Sequence, residues 1–271
     1  MQLRAFQGEE HLPFVFAGEG TAVLLVHGFP GTPAEMRPLA NSLHRTGVTV
    51  ESLLLPGFGP QIETLAERQY PEWIDAVQSS LSRLRQSHDR IALIGFSMGA
   101  AISLHVVANG AKPDALVLLA PFWQLGEPWQ QFLWPLLRVF MRHFRPFEKA
   151  DFRDPRLRRD ILKFMPDADL DDPETQTMIR EISLPFGVLD QLRLLGRSAY
   201  HLAPQLELPI LIVQGREDDV VHPGKTQRLV SRFPGAVRYH EVSGDHQLIH
   251  PDHPAWAEVE ALVVGFIDEY R

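Results

Sequence analysis

The sequence predicts an α/β fold in which a mostly parallel β-sheet carries helices on both faces. Short aliphatic runs alternate with amphipathic stretches along most of the chain. The run at residues 22–26 is apolar at every position, which is typical of a parallel strand buried on both faces. Glycine or proline follows soon after each such run. Strand and helix repeated in this order imply right-handed crossovers and a parallel sheet.

The alternation predicts six strands and five helices in order along the chain. The strands are expected at residues 22–26, 49–54, 90–94, 115–119, 209–213 and 238–242. The helices are expected at residues 34–46, 70–86, 98–109, 222–233 and 253–270. The helix at 98–109 ends at Gly110, because glycine is a common C-terminal stop.

The alternation breaks between residues 122 and 184, where the sequence predicts no strand. An apolar stripe with helical spacing comes first, and an Asp- and Arg-rich stretch at 148–174 follows. We therefore expect residues 122–184 to form a helical cap over the carboxyl edge of the sheet, where such sheets bind ligands. Residues 1–121 and 185–271 would form the core domain. The stripe is formed by Leu133, Leu136, Leu137, Phe140, Met141 and Phe144.

Composition and charge narrow the classes of function. The chain has 271 residues, a net charge of −8 and no cysteine. A negative chain has no long-range attraction to nucleic acid, and the absence of cysteine excludes disulfides and thiol catalysis. The first residues lack the apolar core of a signal peptide, and no apolar run is long enough to span a membrane. The sequence therefore predicts a cytoplasmic enzyme without an integral membrane segment.

The strongest chemical signal is Gly95-Phe96-Ser97-Met98-Gly99, because an apolar strand leads into it and a helix-forming run follows. This context predicts a sharp turn with Ser97 at its tip in a strained backbone conformation. The N-terminus of the following helix would place amide N–H groups beside the Ser97 hydroxyl. The simpler alternative is a turn in which Ser97 only caps the helix.

A serine hydroxyl needs a base, and the base needs a group that orients it. The expected chain order is serine, then acid, then histidine. The acid is expected in the loop after strand 209–213. Asp218 is preferred there over Asp219, and Glu217 comes third.

The base is expected in the loop after strand 238–242. His246 is preferred because it follows that strand through a Ser-Gly turn. The other candidates are His222, His240, His250 and His253. Of these, His240 lies inside the predicted strand, and the last two lie beside prolines at the start of the last helix.

The tetrahedral intermediate of acyl transfer needs two N–H donors for its negative oxygen. One is expected to be the backbone N–H of Met98, next to the nucleophile. The other is expected from the loop at residues 27–31, where Phe29 is preferred and Pro30 has no N–H to donate. The alternative for this loop is a plain Gly-Pro turn.

Several segments resemble the bacterial carboxylesterase and monoacylglycerol lipase group of the α/β-hydrolases. They are LLVHGFPGTP at 24–33, EMRPL at 35–39, PEW at 71–73, GFSMG at 95–99 and GREDDVV at 215–221. The resemblance implies an α/β-hydrolase fold with Ser97, Asp218 and His246 as the triad and Phe29 and Met98 as oxyanion donors. The sequence departs from the group at Phe58, where histidine is usual after Pro-Gly. It departs again where Asp245 separates Gly244 from His246.

The function expected from these features is hydrolysis of carboxylic esters through an acyl-enzyme on Ser97, without a metal or organic cofactor. The substrate is expected to be a small-molecule acyl ester or a monoacylglycerol. This expectation depends on aromatic residues in the region 122–184 facing the pocket, and weak contact of that region with a lipid surface is the rarer possibility. These aromatic residues are Trp123, Trp129, Phe132, Trp134 and Phe140.

Three alternatives stay open on the sequence. The same fold could hydrolyse an amide bond or a carbon–carbon bond, or the chain could be a binding protein that retains a hydrolase pocket. The sequence makes no prediction of the oligomeric state.

Overall fold

The computed structural model describes residues 6–126, 143–145, 147–164 and 168–270. The strands are β1 (Phe14–Phe16), β2 (Thr21–Val26), β3 (Thr49–Ser52), β4 (Arg90–Phe96), β5 (Ala115–Leu119), β6 (His143–Phe144), β7 (Leu184–Pro185), β8 (Ile210–Gly215) and β9 (Val237–Val242). The α-helices are α1 (Pro33–His44), α2 (Tyr70–Leu84), α3 (Met98–Ala108), α4 (Pro155–Phe164), α5 (Pro173–Glu181), α6 (Phe186–Leu202), α7 (Pro223–Val230) and α8 (Trp256–Asp268). Short 3-10 segments lie at Glu9–His11, Gly59–Glu67 and Ala203–Gln205.

The main sheet has seven strands in the order β1-β3-β2-β4-β5-β8-β9. Strand β1 is antiparallel to β3, and the other neighbours are parallel. Alternate residues of β2 enter different cores, because successive side chains of a strand point to opposite faces. Leu24 packs in the core that holds buried residues of α2, α3, α6 and α7, whereas Leu25 packs in the core that holds those of α1 and α8. The predicted mostly parallel sheet with helices on both faces is confirmed.

The carboxyl ends of the central strands meet at one edge of the sheet. Val26 pairs with Gly95, Phe96 pairs with Leu119, and Gly215 pairs with Val242. The loops that follow β2, β4, β8 and β9 therefore open on the same side, which brings residues distant in sequence close together.

Several boundaries differ from the sequence-based predictions. The predicted helix 253–270 begins at Trp256, so His250 and His253 lie in the turn before it, and the predicted helix 222–233 is only Pro223–Val230. Strands β1, β6 and β7 and helix α6 were not predicted. The two-residue pair of β6 and β7 corrects the expectation that residues 122–184 contain no strand.

The apolar stripe expected in the cap falls mostly at residues 127–142, which lie outside the described residues. Phe144 is the exception, and its backbone pairs with Leu184 in a β-bridge, so it does not continue a helix. Farther along the chain, α4 and α5 contribute to a small separate core formed by Phe152, Ile161, Leu170 and Ile179.

Candidate active site

Ser97 lies at the sharp turn between β4 and α3, as the motif predicts. Its backbone has φ 51° and ψ −112°, a positive φ that is uncommon for any residue other than glycine. The turn is held by the Ser97 N–H, which donates to the carbonyl of Leu119 at 2.8 Å. Its own carbonyl accepts from Ala100 at 3.1 Å and from Phe122 at 3.2 Å. These bonds keep the strained residue in place, so its hydroxyl stands at the carboxyl edge of the sheet.

The two glycines of the motif are required by close backbone approach. A Cβ atom at Gly99 would overlap with the carbonyl oxygen of Val26, and one at Gly95 would overlap with the backbone of Gly99. Both obstacles are backbone atoms, which cannot turn aside as a side chain can. The turn can therefore form only with glycine at these two positions.

The structure brings the preferred serine, histidine and aspartate together. The Nε2 atom of His246 lies 2.9 Å from the Oγ atom of Ser97, and its Nδ1 atom lies 2.7 Å from Oδ2 of Asp218. A carboxylate accepts hydrogen bonds only, so Nδ1 carries the proton and Nε2 is free to accept from the Ser97 hydroxyl. This tautomer is the one that a general base for Ser97 needs.

Asp218 is 1% exposed and its carboxylate accepts several hydrogen bonds. Besides His246, the donors are the N–H groups of Val220 at 2.9 Å and Val221 at 2.7 Å, and the side-chain amide of Gln214 at 2.8 Å. Burial by itself raises the pKa of Asp218. The hydrogen bond and charge of His246 and the donors Val221 and Gln214 act against burial, so the net pKa lies below its ordinary value.

Gln214 is a residue of this site that sequence reasoning did not identify. It is fully buried at the end of β8, and its amide oxygen accepts from the hydroxyl of Thr226 at 2.6 Å. That bond orients the amide so that its nitrogen faces Asp218. The sequence feature that could have identified Gln214 is a polar side chain at the end of an otherwise apolar strand.

The rival acids occupy other places. Asp219 is exposed to solvent. The Glu217 carboxylate accepts from the backbone N–H of Gly244, so it ties the loop after β8 to the loop that carries His246.

The rival histidines lie at the surface or bond to other groups. His222 and His240 are exposed. His253 has a buried side chain whose Nδ1 accepts from the N–H of Ala255 at 3.1 Å, and His250 Nδ1 accepts from Asp252 at 3.2 Å.

The loop after β2 approaches Ser97 from the other side. A Cβ atom at Gly28 would lie 3.2 Å from the Cβ of Ser97, so this loop packs closely against Ser97. The Gly28 N–H donates to the carboxylate of Glu35, and the Gly28 carbonyl accepts from Nδ1 of His27 at 2.9 Å. Within the part of the chain that the structure describes, the N–H groups of Phe29 and Met98 have no acceptor.

His27 is a buried neutral side chain beneath this loop. Its Nε2 accepts from the N–H of Leu55 at 3.1 Å, so Nδ1 carries the proton and donates to Gly28. Burial lowers the pKa of His27 from 6.5 to about 4, and the hydrogen bond to Gly28 opposes this only in part. The ring therefore remains uncharged at neutral pH and joins the loop after β2 to the segment at Leu55.

Phe58, where the resembling group usually has histidine, lies in an aromatic cluster under the loop. Its side chain is fully buried, with ring centroids 5.1 Å from His27, 6.0 Å from Phe29 and 5.7 Å from Trp73, all in edge-on geometry. These contacts support the loop from below with apolar surface.

Trp123 packs into the core domain. Its ring stacks on Tyr200 at 4.3 Å between centroids, and its Nε1 donates to the carbonyl of Lys225 at 2.9 Å. Trp123 is therefore part of the core domain and does not belong to the acyl-facing surface expected of the region 122–184. The other four aromatic residues, Trp129, Phe132, Trp134 and Phe140, lie outside the described residues.

No group of three or more histidine, aspartate or glutamate side chains in the described ranges could hold a metal ion. None of the helices described is long and apolar enough to cross a membrane.

Residues 19–250 match the model of one protein family, described as serine aminopeptidase, S33. The chain belongs to this family. The match includes β2, β4, β8 and β9, and so takes in Ser97, Asp218 and His246.

Two curated relatives and two solved structures extend the comparison. The chain is 35% identical over 102 residues to a thermostable monoacylglycerol lipase of Bacillus sp. (strain H-257), covering 38% of this chain and 40% of that protein. It is 34% identical over 137 residues to a carboxylesterase of Bacillus subtilis (strain 168), covering 50% of this chain and 54% of that protein. This chain thus spans about half the length of these relatives.

The solved structures show the fold. One belongs to a study of LipS and LipT, two metagenome-derived lipolytic enzymes, with a TM-score of 0.75, 19% identity and coverage of 96% of this chain and 98% of that one. A monoacylglycerol lipase of Paleococcus ferrophilus has a TM-score of 0.67, 18% identity and the same coverage of both chains. The α/β-hydrolase fold implied by the sequence resemblance is confirmed.

Proposed function

We propose that this protein is a serine hydrolase that cleaves carboxylic esters through an acyl-enzyme on Ser97. The observation that carries the proposal is the continuous chain of hydrogen bonds from Ser97 through His246 to Asp218. The names of the monoacylglycerol lipase and carboxylesterase relatives support ester substrates.

In this mechanism Ser97 Oγ attacks the ester carbonyl while Nε2 of His246 takes the hydroxyl proton. Asp218 holds the imidazole in its tautomer and stabilises the imidazolium that forms. His246 then gives the proton to the leaving alcohol, which departs and leaves the acyl group on Ser97. In the second half, His246 removes a proton from water while the water oxygen attacks the acyl carbon. The bond from that carbon to Ser97 Oγ then breaks, His246 returns the proton to Oγ, and the carboxylic acid departs.

The oxyanion is held by the backbone N–H groups of Phe29 and Met98. The neighbouring Gly28 N–H is already bonded to Glu35, so it cannot serve as the donor in place of Phe29. Phe29 is therefore the next donor along the loop, and its neighbour Pro30 has none. The N-terminus of α3 adds a favourable field for a negative oxygen near Met98.

We assign residues 122–184 to a cap over this site. The segment leaves the core after β5, at the edge where Ser97 lies, and returns at α6. The separate small core that α4 and α5 share supports a unit distinct from the main domain.

Acyl esters of medium chain length, including monoacylglycerols, are the proposed substrates. A series of p-nitrophenyl esters from acetate to decanoate tests this. We expect kcat/KM to rise beyond acetate, and a flat or undetectable response at longer chains would remove the medium-chain proposal.

Labelling with a fluorophosphonate probe tests the nucleophile. The wild type is expected to react, and Ser97→Ala is expected not to react. The same experiment separates the enzyme from a binding protein of the same fold, which would remain unlabelled.

Amide hydrolysis is the second candidate, because the matching family is described as serine aminopeptidase. A side-by-side assay of p-nitrophenyl esters and aminoacyl p-nitroanilides decides between them. We expect hydrolysis of the esters and little of the anilides, whereas faster hydrolysis of the anilides would favour the peptidase.

A further inference from the structure

The carboxylate of Glu35 lies beneath the loop after β2, next to the site but outside the hydrogen-bonded chain from Ser97 to Asp218. Its Oε1 accepts the N–H of Gly28. The proposed mechanism gives Glu35 no role, and the sequence reasoning did not assign one.

The loop is shaped to receive this carboxylate. A Cβ atom at Gly31 would overlap with the Glu35 carboxyl group, so only glycine allows the approach. At Gly28 a Cβ atom would lie 3.4 Å from Oε1 of Glu35 and 3.2 Å from the Cβ of Ser97. Gly28 is therefore placed between the carboxylate and the nucleophile.

Helix α1 holds the carboxylate in a fixed position. Thr32 is the N-cap of this helix, so Glu35 lies in its first turn, where the positive end of the helix favours a negative group. The helix itself is anchored in the core by the fully buried side chains of Met36, Leu39 and Leu43. Glu35 thus links a rigid element to a loop without regular structure.

The two peptide groups of Gly28 are held from different sides. Glu35 accepts its N–H, and His27 donates to its carbonyl at 2.9 Å. The peptide between Gly28 and Phe29 is planar, so the direction of the Gly28 carbonyl determines the opposite direction of the Phe29 N–H. Glycine has wide freedom in φ and ψ, and the two bonds together remove it.

We propose that Glu35 is a positioning residue that fixes the Phe29 N–H toward the oxyanion of the reaction. The inference rests on the proposed ester hydrolysis and deepens it. Glu35 acts through the backbone of Gly28. Its loss therefore weakens stabilisation of the transition state more than binding of the ground state.

The test compares Glu35→Ala with Glu35→Gln, which keeps an oxygen acceptor for the Gly28 N–H. Steady-state kinetics on p-nitrophenyl butyrate give kcat and KM separately. Affinity for an alkyl boronic acid, which forms a tetrahedral anionic adduct with serine, reports the oxyanion site. Complete loss of one oxyanion donor costs about 10²–10³ in rate. We expect Glu35→Ala to lower kcat about 10- to 100-fold and boronate affinity by a similar factor, with KM nearly unchanged.

Glu72 supplies a matched control. It occupies the first turn of α2, where its Oε1 accepts the backbone N–H of Gln69 at 2.8 Å and its Oε2 pairs with Arg68 at 3.3 Å. Glu72→Ala removes the same kind of bond, so it is expected to lower thermal stability without changing kcat. Glu35→Gln is expected to retain most of the wild-type kcat.

Unchanged kcat in Glu35→Ala, a loss confined to KM, or failure of Glu35→Gln to restore kcat would overturn the role of Glu35. If Glu35→Ala does not fold, Glu35→Asp replaces it, because the shorter side chain withdraws the carboxylate from Gly28, and the same fall in kcat is expected. A wild type that neither hydrolyses esters nor reacts with a fluorophosphonate would instead overturn the proposed function itself.

Discussion

The imidazole of His246 and the carboxylate of Asp218 are joined by a hydrogen bond of 2.7 Å in a buried part of the site. The adjacent Asp219 is exposed. Two neighbouring carboxylates of the same chemical type therefore have different environments, and the first is the one that contacts His246.

This difference gives the first prediction. Asp218→Asn offers an amide in place of a carboxylate, which favours the wrong imidazole tautomer and removes the charge that stabilises imidazolium. We expect kcat to fall by about 10³–10⁴, as expected when the acid of such a triad is neutralised. Asp219→Asn, measured on the same ester, is the matched control and should stay within about twofold of the wild type. Equal losses in the two variants would contradict the assignment of Asp218.

A second prediction concerns the glycines of the turn. Gly99→Ala places a Cβ atom against the carbonyl of Val26, so the turn must shift, and we expect loss of activity with destabilisation by several kcal/mol. Gly265→Ala is the control, because Gly265 also lies in a helix but has open space around its Cβ position. It should raise the free energy of unfolding by about 0.5–1 kcal/mol. Thermal or urea unfolding measures both, and a harmless Gly99→Ala would refute the close approach.

The third prediction is the pH dependence of stability that His27 imposes. Its pKa is about 4 in the folded protein and 6.5 when unfolded. Between these values the unfolded chain binds the proton and the folded protein does not, so the free energy of unfolding falls as the pH is lowered from 6.5 toward 4. The contribution is fully present above pH 6.5 and amounts to about 3 kcal/mol at 1.4 kcal/mol per pKa unit.

Urea unfolding at pH 7 and at pH 4.5 measures this effect. His27→Gln removes the titrating group, so its stability should depend less steeply on pH than that of the wild type. The comparison uses the change in unfolding free energy between the two pH values, which is independent of any constant loss of stability in the variant. Equal slopes in the two proteins would show that His27 titrates normally in the folded state.

Phe58 provides the fourth prediction. It is fully buried against His27, Phe29 and Trp73, and Phe58→Ala should cost about 3–5 kcal/mol in unfolding free energy because it leaves a cavity. Phe58→Leu fills most of that space and should cost less. Chemical unfolding at neutral pH distinguishes the two. Similar stability of the alanine variant and the wild type would contradict the packing described.

The sequence predicted the fold because its central strands are apolar at consecutive positions. The run 115–119 can be read from its residues without knowledge of their neighbours, and it matches β5. Strand β1 was not predicted because it is only three residues long and its central residue, Val15, is 60% exposed. Its sequence therefore shows no clear pattern of buried apolar residues. Its existence depends on pairing with β3, which is a contact distant in sequence.

The candidate site was predicted in part for the same reason. The order of Ser97, Asp218 and His246 and their places after strands could be read locally, and the parallel registers bring them to one edge. The hydrogen bond between Glu35 and Gly28 could not be predicted from the sequence, because it depends on the angle at which α1 leaves the loop. The physical basis for preferring Asp218 over Asp219 is also visible only in the structure, in the burial of Asp218 and the donors around its carboxylate.

An ester hydrolase whose nucleophile is Ser97 must form its covalent adduct on that residue. Purified wild type and Ser97→Ala are incubated with a p-nitrophenyl ester and, separately, with a fluorophosphonate, and mass spectrometry locates the adduct. We expect hydrolysis and a single adduct on Ser97 in the wild type, and neither in the variant. Hydrolysis that persists in Ser97→Ala, or an adduct on another residue, would contradict it.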